Sequence, residues 1–455
     1  MPPATDTRRP PGPRGLPLLG NGLEQARRPL EFFTENARTY GDVVYWELIN
    51  EPIYQLNHPD TIESVLVTHN ERFIKGHVFQ EYLRPILGRG LLNSEGERWR
   101  AQRHRMQPLF HPDQIAAYAT IMVDATERRL DRWSNGARID INEEMMGITL
   151  EIVARALLGV DIRREIDMIG DHVAVILGYV DSLSRQLMPP WAPTPSRRRF
   201  ERSLEALEAI VYRIIDERKR DASGTDVVSR LIAGDEETSM DDRQLRDEVM
   251  TFFLAGHETT ALALTYTWYL LATHPDVEAR LRTELESVVG DEPLTQEITR
   301  DLPYADQVIT ESLRLYPPVA TVLREPVEDV RIDGYRIPAG ATIWLPQWVV
   351  HRDPRWYPDP LAFNPDRWST AFKADLPHGA YFPFAAGPRR CIGDRFARLE
   401  ALLVLATILQ RYHLELRPET IFEIDPAITS RLANPIEMTV HRYDGGSGVD
   451  AATGS

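Results

Sequence analysis

The stretch 242–274 constrains the fold more than any other part of this 455-residue chain. Ser239-Met-Asp-Asp242 reads as a helix start, a serine cap with an acid three residues on. From Asp242 the pattern runs on for about 33 residues, well beyond the usual globular helix. Its middle is apolar nearly all round, so this helix is expected to cross the interior of the molecule.

The rest of the chain is read around that rod. Helical patterns cover 97–106, 118–132, 144–158, 166–187, 196–221, 276–289 and 304–316, the last stopped by Pro317-Pro318. Strand-like runs are few: a hairpin over 42–56, strands and turns over 330–348, and short strands near Leu414 and over 436–441. Residues 352–383 form an irregular proline-rich meander, and a further helix runs from Asp394 to about Arg411. The expected fold is mainly α with a small β portion. No internal repeat and no Gly/Ser-rich linker divides the chain, so 1–443 is expected to be one domain, followed by a Gly/Ser-rich disordered tail, 444–455. Leu187-Met-Pro-Pro-Trp191 is either a packed helix connection or a flexible lid.

Composition removes several function classes. A net charge of -16 argues against nucleic acid as a partner. Only three of the 52 basic residues are lysines (Lys75, Lys219, Lys373), which suits either a salt-loving host or a GC-rich genome. No apolar run reaches the roughly 18 residues of a membrane span, and residues 1–9 are too polar for a signal peptide. A cytoplasmic location without a membrane anchor is expected.

Cys391 is the only cysteine, so neither a disulfide nor a multi-cysteine metal site is open to it. Two readings remain: a small buried hydrophobe, or a thiolate that acts as nucleophile or single axial ligand. Its setting favours the second. Phe384, Gly387 and Arg389 precede it and Gly393 follows, just before a helix. Glycines let the backbone turn tightly and approach something large and flat. Backbone N–H groups and a helix start stabilise a thiolate, and an arginine can reach a carboxylate.

Inside the buried helix lies a second constellation, Ala255-Gly256-His257-Glu258-Thr259-Thr260. Polar residues are poor choices there, and a threonine hydroxyl can bond the carbonyl four residues back, bending the helix. Gly256 would open a groove beside it, and Glu258 and Thr259 could pass protons. His257 reads as structural. Elsewhere Glu311 and Arg314 share a helix face at i and i+3, and Trp99 and Arg103 share one at i and i+4.

These ordered motifs, together with Phe363-Asn-Pro365-Asp366-Arg367-Trp368, resemble those of the cytochrome P-450 family, the haem-thiolate monooxygenases. The Pro10–Pro17 segment also resembles the proline-rich stretch of microsomal members. The resemblance implies a single-domain fold with the long helix crossing over haem b, and Cys391 as the iron ligand. It implies propionate contacts from Trp99, Arg103, Arg324 and Arg389, with Lys75 as a further candidate. It implies a structural triad of Glu311, Arg314 and Arg367 pinning the meander, and proton delivery by Glu258 and Thr259. Leu92, Ala255, Val319, Thr321 and Ile428 would line the pocket. They are mostly apolar, so the substrate would be hydrophobic, such as a fatty acid or terpenoid. Electrons would come from a separate ferredoxin or flavodoxin-type protein, docked on a basic patch of Arg100, Arg105, Arg390, Arg395 and Arg398. A monomer is expected. Alternatives from other classes are a peroxide-using or rearranging haem-thiolate enzyme, a non-catalytic haem sensor, and a haem-free cysteine enzyme.

Overall fold

A computed structural model describes residues 9–443 apart from 18, 49–50, 164, 181–192, 221–225, 234–239 and 291. The expected break at 187–191, the serine cap at 239 and the tail at 444–455 lie outside the described residues.

The central helix spans Asp242–Thr273, 32 residues, which makes it about 48 Å long. Its cap is Asp241, whose side chain accepts from the Gln244 amide at 2.7 Å. The acid suits the helix dipole as well as the orphan N–H groups. The helix ends at His274 because Pro275 follows and opens the next helix. Val249, Phe253, Leu264, Trp268 and Leu271 are sealed from solvent, so the rod does cross the core.

Its main neighbour is the Ile141–Ala156 helix. Thr149 of that helix donates to the His257 carbonyl at 3.0 Å as well as to its own Met145 carbonyl at 2.9 Å. The central helix is continuous through 255–260, so the expected bend does not break it. A Cβ on Gly256 would lie 3.0 Å from Val153 Cγ2. Gly256 therefore lets two helices pack closely, which corrects the expectation that it opens a groove.

Most predicted helices form, with ends moved by local chemistry. The helix expected over 118–132 spans Pro112–Leu130, because Pro112 at its first turn lacks only an N–H that is unpaired there anyway. Helices Pro29–Tyr40, Pro59–Glu63 and His77–Leu87 add to the N-terminal part.

The β portion is small. The hairpin Val43–Leu48 with Glu51–Leu56 pairs in register from Val43 opposite Leu56. Thr342–Leu345 adds parallel to its second strand, then Val322–Pro326 and Phe73–Ile74 follow antiparallel. Arg138–Asp140, Glu437–Arg442 and Tyr412–Leu416 make a separate three-stranded sheet. Among the described residues no helix is long and apolar enough to cross a membrane.

Candidate active site

The cysteine loop is fixed by its backbone. The Cys391 amide donates to the Phe384 carbonyl at 2.9 Å, and Ala385 and Gly387 take positive φ of 55° and 68°. A Cβ on Gly387 would sit 1.9 Å from the Leu66 carbonyl oxygen, so only glycine fits. Gly393 differs. Its φ is -90°, and a Cβ there would meet Phe110 at an ordinary 3.8 Å. The chain's own packing does not require that glycine, although its N–H faces the sulfur.

Cys391 is exposed, yet protein crowds it enough that burial pushes its pKa up. The Gly393 N–H opposes that rise, Asp394 adds to it, and Arg103 and Lys75 pull the other way. A side chain that is both accessible and surrounded borders internal space. Ala255 behaves alike: it is exposed although Leu254 and His257 beside it are buried.

Lys75 and Arg103 act on that sulfur, and Arg324 and Arg389 join them in a cluster of cations around Lys75. Burial lowers the Lys75 pKa well below its usual range, and Arg324, Arg389 and Arg103 lower it further. Burial alone brings Arg324 and Arg389 down to about 10. Their partners are mostly neutral carbonyls. Lys75 Nζ donates to Leu92 O at 2.7 Å, Arg103 to Arg390 O at 2.8 Å, and Arg324 to Leu323 O at 2.7 Å. Arg389 donates to Ser94 O at 2.9 Å, pairs with Glu95, and lies 3.7 Å over the Trp99 ring. Glu95, which the sequence did not single out, is the carboxylate inside this cluster; it also accepts the Lys75 amide at 3.0 Å. Trp99 thus contacts Arg389 rather than extending Arg103.

Four cations against Glu95, with Asp394 nearby but paired to Arg390, leave an excess of positive charge in a partly desolvated setting, which is unfavourable unless anions join them. Two carboxylates on a planar group held above the thiol would meet that need. The residues therefore fit haem b: Cys391 would hold the iron, and the four cations with Trp99 would hold the propionates.

On the central helix Thr259 Oγ1 donates to Ala255 O at 2.9 Å, as its spacing predicts, and Thr260 does the same to Gly256 O at 3.3 Å. His257 is buried with Nδ1 on Phe253 O at 2.7 Å, a packing role. Glu258 is buried and takes a hydrogen bond from Arg431 Nε at 2.9 Å. No motif marks Arg431. Its strand, Ser430–Leu432, is three residues long and too short to carry a periodic signal. Glu400, on the Asp394–Arg411 helix, is a fully buried carboxyl near Thr260 whose pKa burial pushes far up.

Glu311, Arg314 and Arg367 do meet. Arg314 grips both oxygens of Glu311 at 2.8 Å and Arg367 reaches Oε1 at 3.3 Å, all of them buried. Trp368 Nε1 and the Asn364 amide complete the carboxylate, at 2.8 and 3.1 Å. The spare guanidinium donors go to carbonyls of the meander and of His351 just before it: His351 and Pro360 at 2.7 Å and Ala362 and Asp359 at 3.1 Å, with Pro358 as well. Tyr357 on Ala380 O and the Phe382 amide on His351 Nε2 extend this lacing toward the cysteine loop.

The expected pocket residues Leu92, Val319, Thr321 and Ile428 are all half-buried. The Ser430 amide on Pro318 O at 2.7 Å draws the 428–430 turn against the segment that holds Val319 and Thr321. The basic patch is weaker than the sequence implied. Arg100, Arg390 and Arg398 pair with Glu97, Asp394 and Asp306, and Arg105 is half-buried.

Comparison with known proteins agrees with this geometry. The family model described as cytochrome P-450 matches residues 10–439. Cyclooctatin synthase of Streptomyces melanosporofaciens is 37% identical, covering 94% of each chain. Pentalenene oxygenase of Streptomyces avermitilis is 33% identical over 93% of this chain and 94% of its own. A solved cyanobacterial structure with bound retinoic acid superposes with a TM-score of 0.86 at 26% identity, covering 95% of this chain and 99% of that one.

Proposed function

The chain belongs to the cytochrome P-450 family, and on that premise we propose how its side chains divide the work of a haem-thiolate monooxygenase. The reaction class is that of the family: haem-dependent monooxygenation of a hydrophobic substrate. Bound haem b supplies the oxygen chemistry, inserting one atom of dioxygen into a C–H bond and releasing the other as water, with two electrons and two protons consumed.

Cys391 ligates the iron as thiolate, and Lys75, Arg103, Arg324 and Arg389 neutralise the propionates. The observation that carries this reading is the cation cluster around Lys75, two of whose members, Lys75 and Arg103, act on one accessible thiol. Thr259 holds a hydroxyl on the helix face that bears the exposed Ala255, one turn on. Glu258, braced by Arg431, accepts and releases the protons that Thr259 passes on. Phe384 and Gly387 shape the cysteine loop, with Gly393 offering its N–H. Glu311, Arg314 and Arg367 hold the meander.

Leu92, Ala255, Val319, Thr321 and Ile428 line the pocket, and the substrate is a terpenoid. Two Streptomyces relatives, one named for cyclooctatin and one for pentalenene, favour that class over a fatty acid. A separate ferredoxin-type protein supplies electrons from the cysteine side. Arg395 is exposed there, and Arg100 and Arg390 are exposed although paired. Residues 1–443 act as one domain, as a monomer in the cytoplasm.

The test is spectral. The reduced, carbon monoxide-bound protein is expected to show the thiolate-type Soret band, and Cys391→Ser to lose it while keeping its far-UV circular dichroism. Retention of that band in the serine variant would refute the assignment. Terpenoids are expected to shift the Soret band of the haem-loaded protein at lower concentration than fatty acids do; the reverse order would overturn the substrate class.

A further inference from the structure

Residues 86–95 run from the last turn of the His77–Leu87 helix to the Gly96–Met106 helix, and they carry Leu92. Backbone amides of this segment end on two adjacent carboxylates of the central helix. Arg89 N donates to Asp247 Oδ2 at 2.7 Å, and Leu91 N donates to Glu248 Oε2 at 2.8 Å. Gln102 Nε2 bridges, reaching Glu248 Oε1 at 2.5 Å and Arg89 O at 2.8 Å, while Ser94 donates to its Oε1. Arg246 holds Ile86 O at 2.7 Å and Asp247 Oδ1 at 3.0 Å. Glycine permits the approach: a Cβ on Gly88 would lie 2.1 Å from Asp247 Oδ1, and one on Gly90 2.2 Å from Thr251 Oγ1.

The far side of the same segment is tied to the cation cluster. Leu92 O accepts from Lys75, Ser94 O from Arg389, and Glu95 pairs with Arg389. One strap of about ten residues therefore joins the central helix to the groups that hold the propionates.

We propose that Asp247 and Glu248 are positioning residues that latch segment 86–95 to the central helix, and that this latch sets how long the substrate stays in the pocket. The proposal rests on the reading that Leu92 lines that pocket. Neither carboxylate touches substrate or cofactor; each acts through the backbone it holds. A buried carboxylate accepting amide N–H groups is a strong anchor when ionised and a weaker one when protonated.

Glu248 is placed to titrate near working pH. Burial, assisted by the Asp247 charge, pushes its pKa up to about 8, against the Leu91 N–H, Gln102 and Arg98. Those groups, with Arg246 beside Asp247 and Glu208 of the Pro195–Arg220 helix paired to Arg246, are charged and polar neighbours on the packed elements. Raising the pH through that value ionises Glu248 and tightens the latch.

The test uses the haem-loaded protein and two variants, Glu248→Gln and Asp247→Asn. Amide exchange at Leu91 and Arg89, read without ligand, is independent of what Leu92 lines. Exchange is expected to be about tenfold faster at Leu91 in Glu248→Gln and at Arg89 in Asp247→Asn, as for loss of one charge-assisted bond. A phenylimidazole is expected to bind about threefold more weakly, through faster release, with the carbon monoxide-bound Soret position unmoved. Its affinity in the unmodified protein is expected to rise between about pH 7 and about 9, and Glu248→Gln to flatten that rise. Unchanged exchange in both variants overturns the latch. Faster exchange with phenylimidazole affinity and its pH dependence both unmoved overturns the link to the pocket.

Discussion

Glu258 and Arg431 stand 173 positions apart in the chain and meet at 2.9 Å, so a short C-terminal strand braces the carboxylate at the centre of the buried helix. Their variants separate support from chemistry. Arg431→Met strands a buried carboxylate and is expected to lower unfolding stability by about 3 kcal/mol. Glu258→Gln keeps the shape and is expected to cost less stability, while a smaller share of the consumed dioxygen ends in product. Undiminished coupling of oxygen uptake to product in Glu258→Gln would remove Glu258 from the proton route.

Arg367→Ala deletes one contact to Glu311 and the grip on Pro358 and Asp359. The expected loss is roughly 3–5 kcal/mol, as for breaking a buried ion network. Because the meander leads into the cysteine loop, haem content per chain is expected to fall before helix content does. Soret absorbance and far-UV circular dichroism followed together during heating check the order. Simultaneous loss would deny the triad a specific hold on the loop.

Lys75 gives a pH dependence with a defined sign. Its pKa in the folded chain lies well below the ordinary 10.5. Between those two values the unfolded chain binds the extra proton, so stability of the haem-free protein is expected to rise as pH increases toward 10.5. Arg324 and Arg389, brought down to about 10, act in the same direction at higher pH. Lys75→Met is expected to flatten the rise and to weaken haem retention about tenfold, the worth of one charge-assisted hydrogen bond. Thermal melts across pH, with and without haem, and haem transfer to apomyoglobin measure both effects.

Gly256→Ala places a methyl 3.0 Å from Val153 Cγ2. Overpacking of this kind costs roughly 1–3 kcal/mol. Val153→Ala in the same chain is expected to restore most of that loss, since it removes the opposing methyls. A double variant no more stable than Gly256→Ala alone would show that the glycine serves something other than the helix contact.

The central helix, the cysteine loop and Glu311 with Arg314 were legible because each is local: an apolar pattern, a spacing, an i, i+3 pair. Arg431 was not, nor were Glu95, Gln102 and the strap those two serve, because each acts through a partner far away in sequence. Arg89 and Leu91 contribute only backbone amides, which no side-chain pattern reveals. Gly256 was read as space for a ligand when its neighbour is Val153, since a glycine in sequence shows missing bulk but not which element fills it. The basic patch looked stronger in sequence than in the fold, where nearby carboxylates at Glu97, Asp394 and Asp306 answer three of its arginines.

Arg314 and Arg367 hold the meander by four of its carbonyl oxygens, on Pro358, Asp359, Pro360 and Ala362, and by that of His351 just before it. A carbonyl is the same whatever side chain its residue bears. Substitutions along the outward face of this segment can therefore accumulate without disturbing the hold on the cysteine loop. The surface beside Cys391 is free to drift while the loop behind it stays fixed.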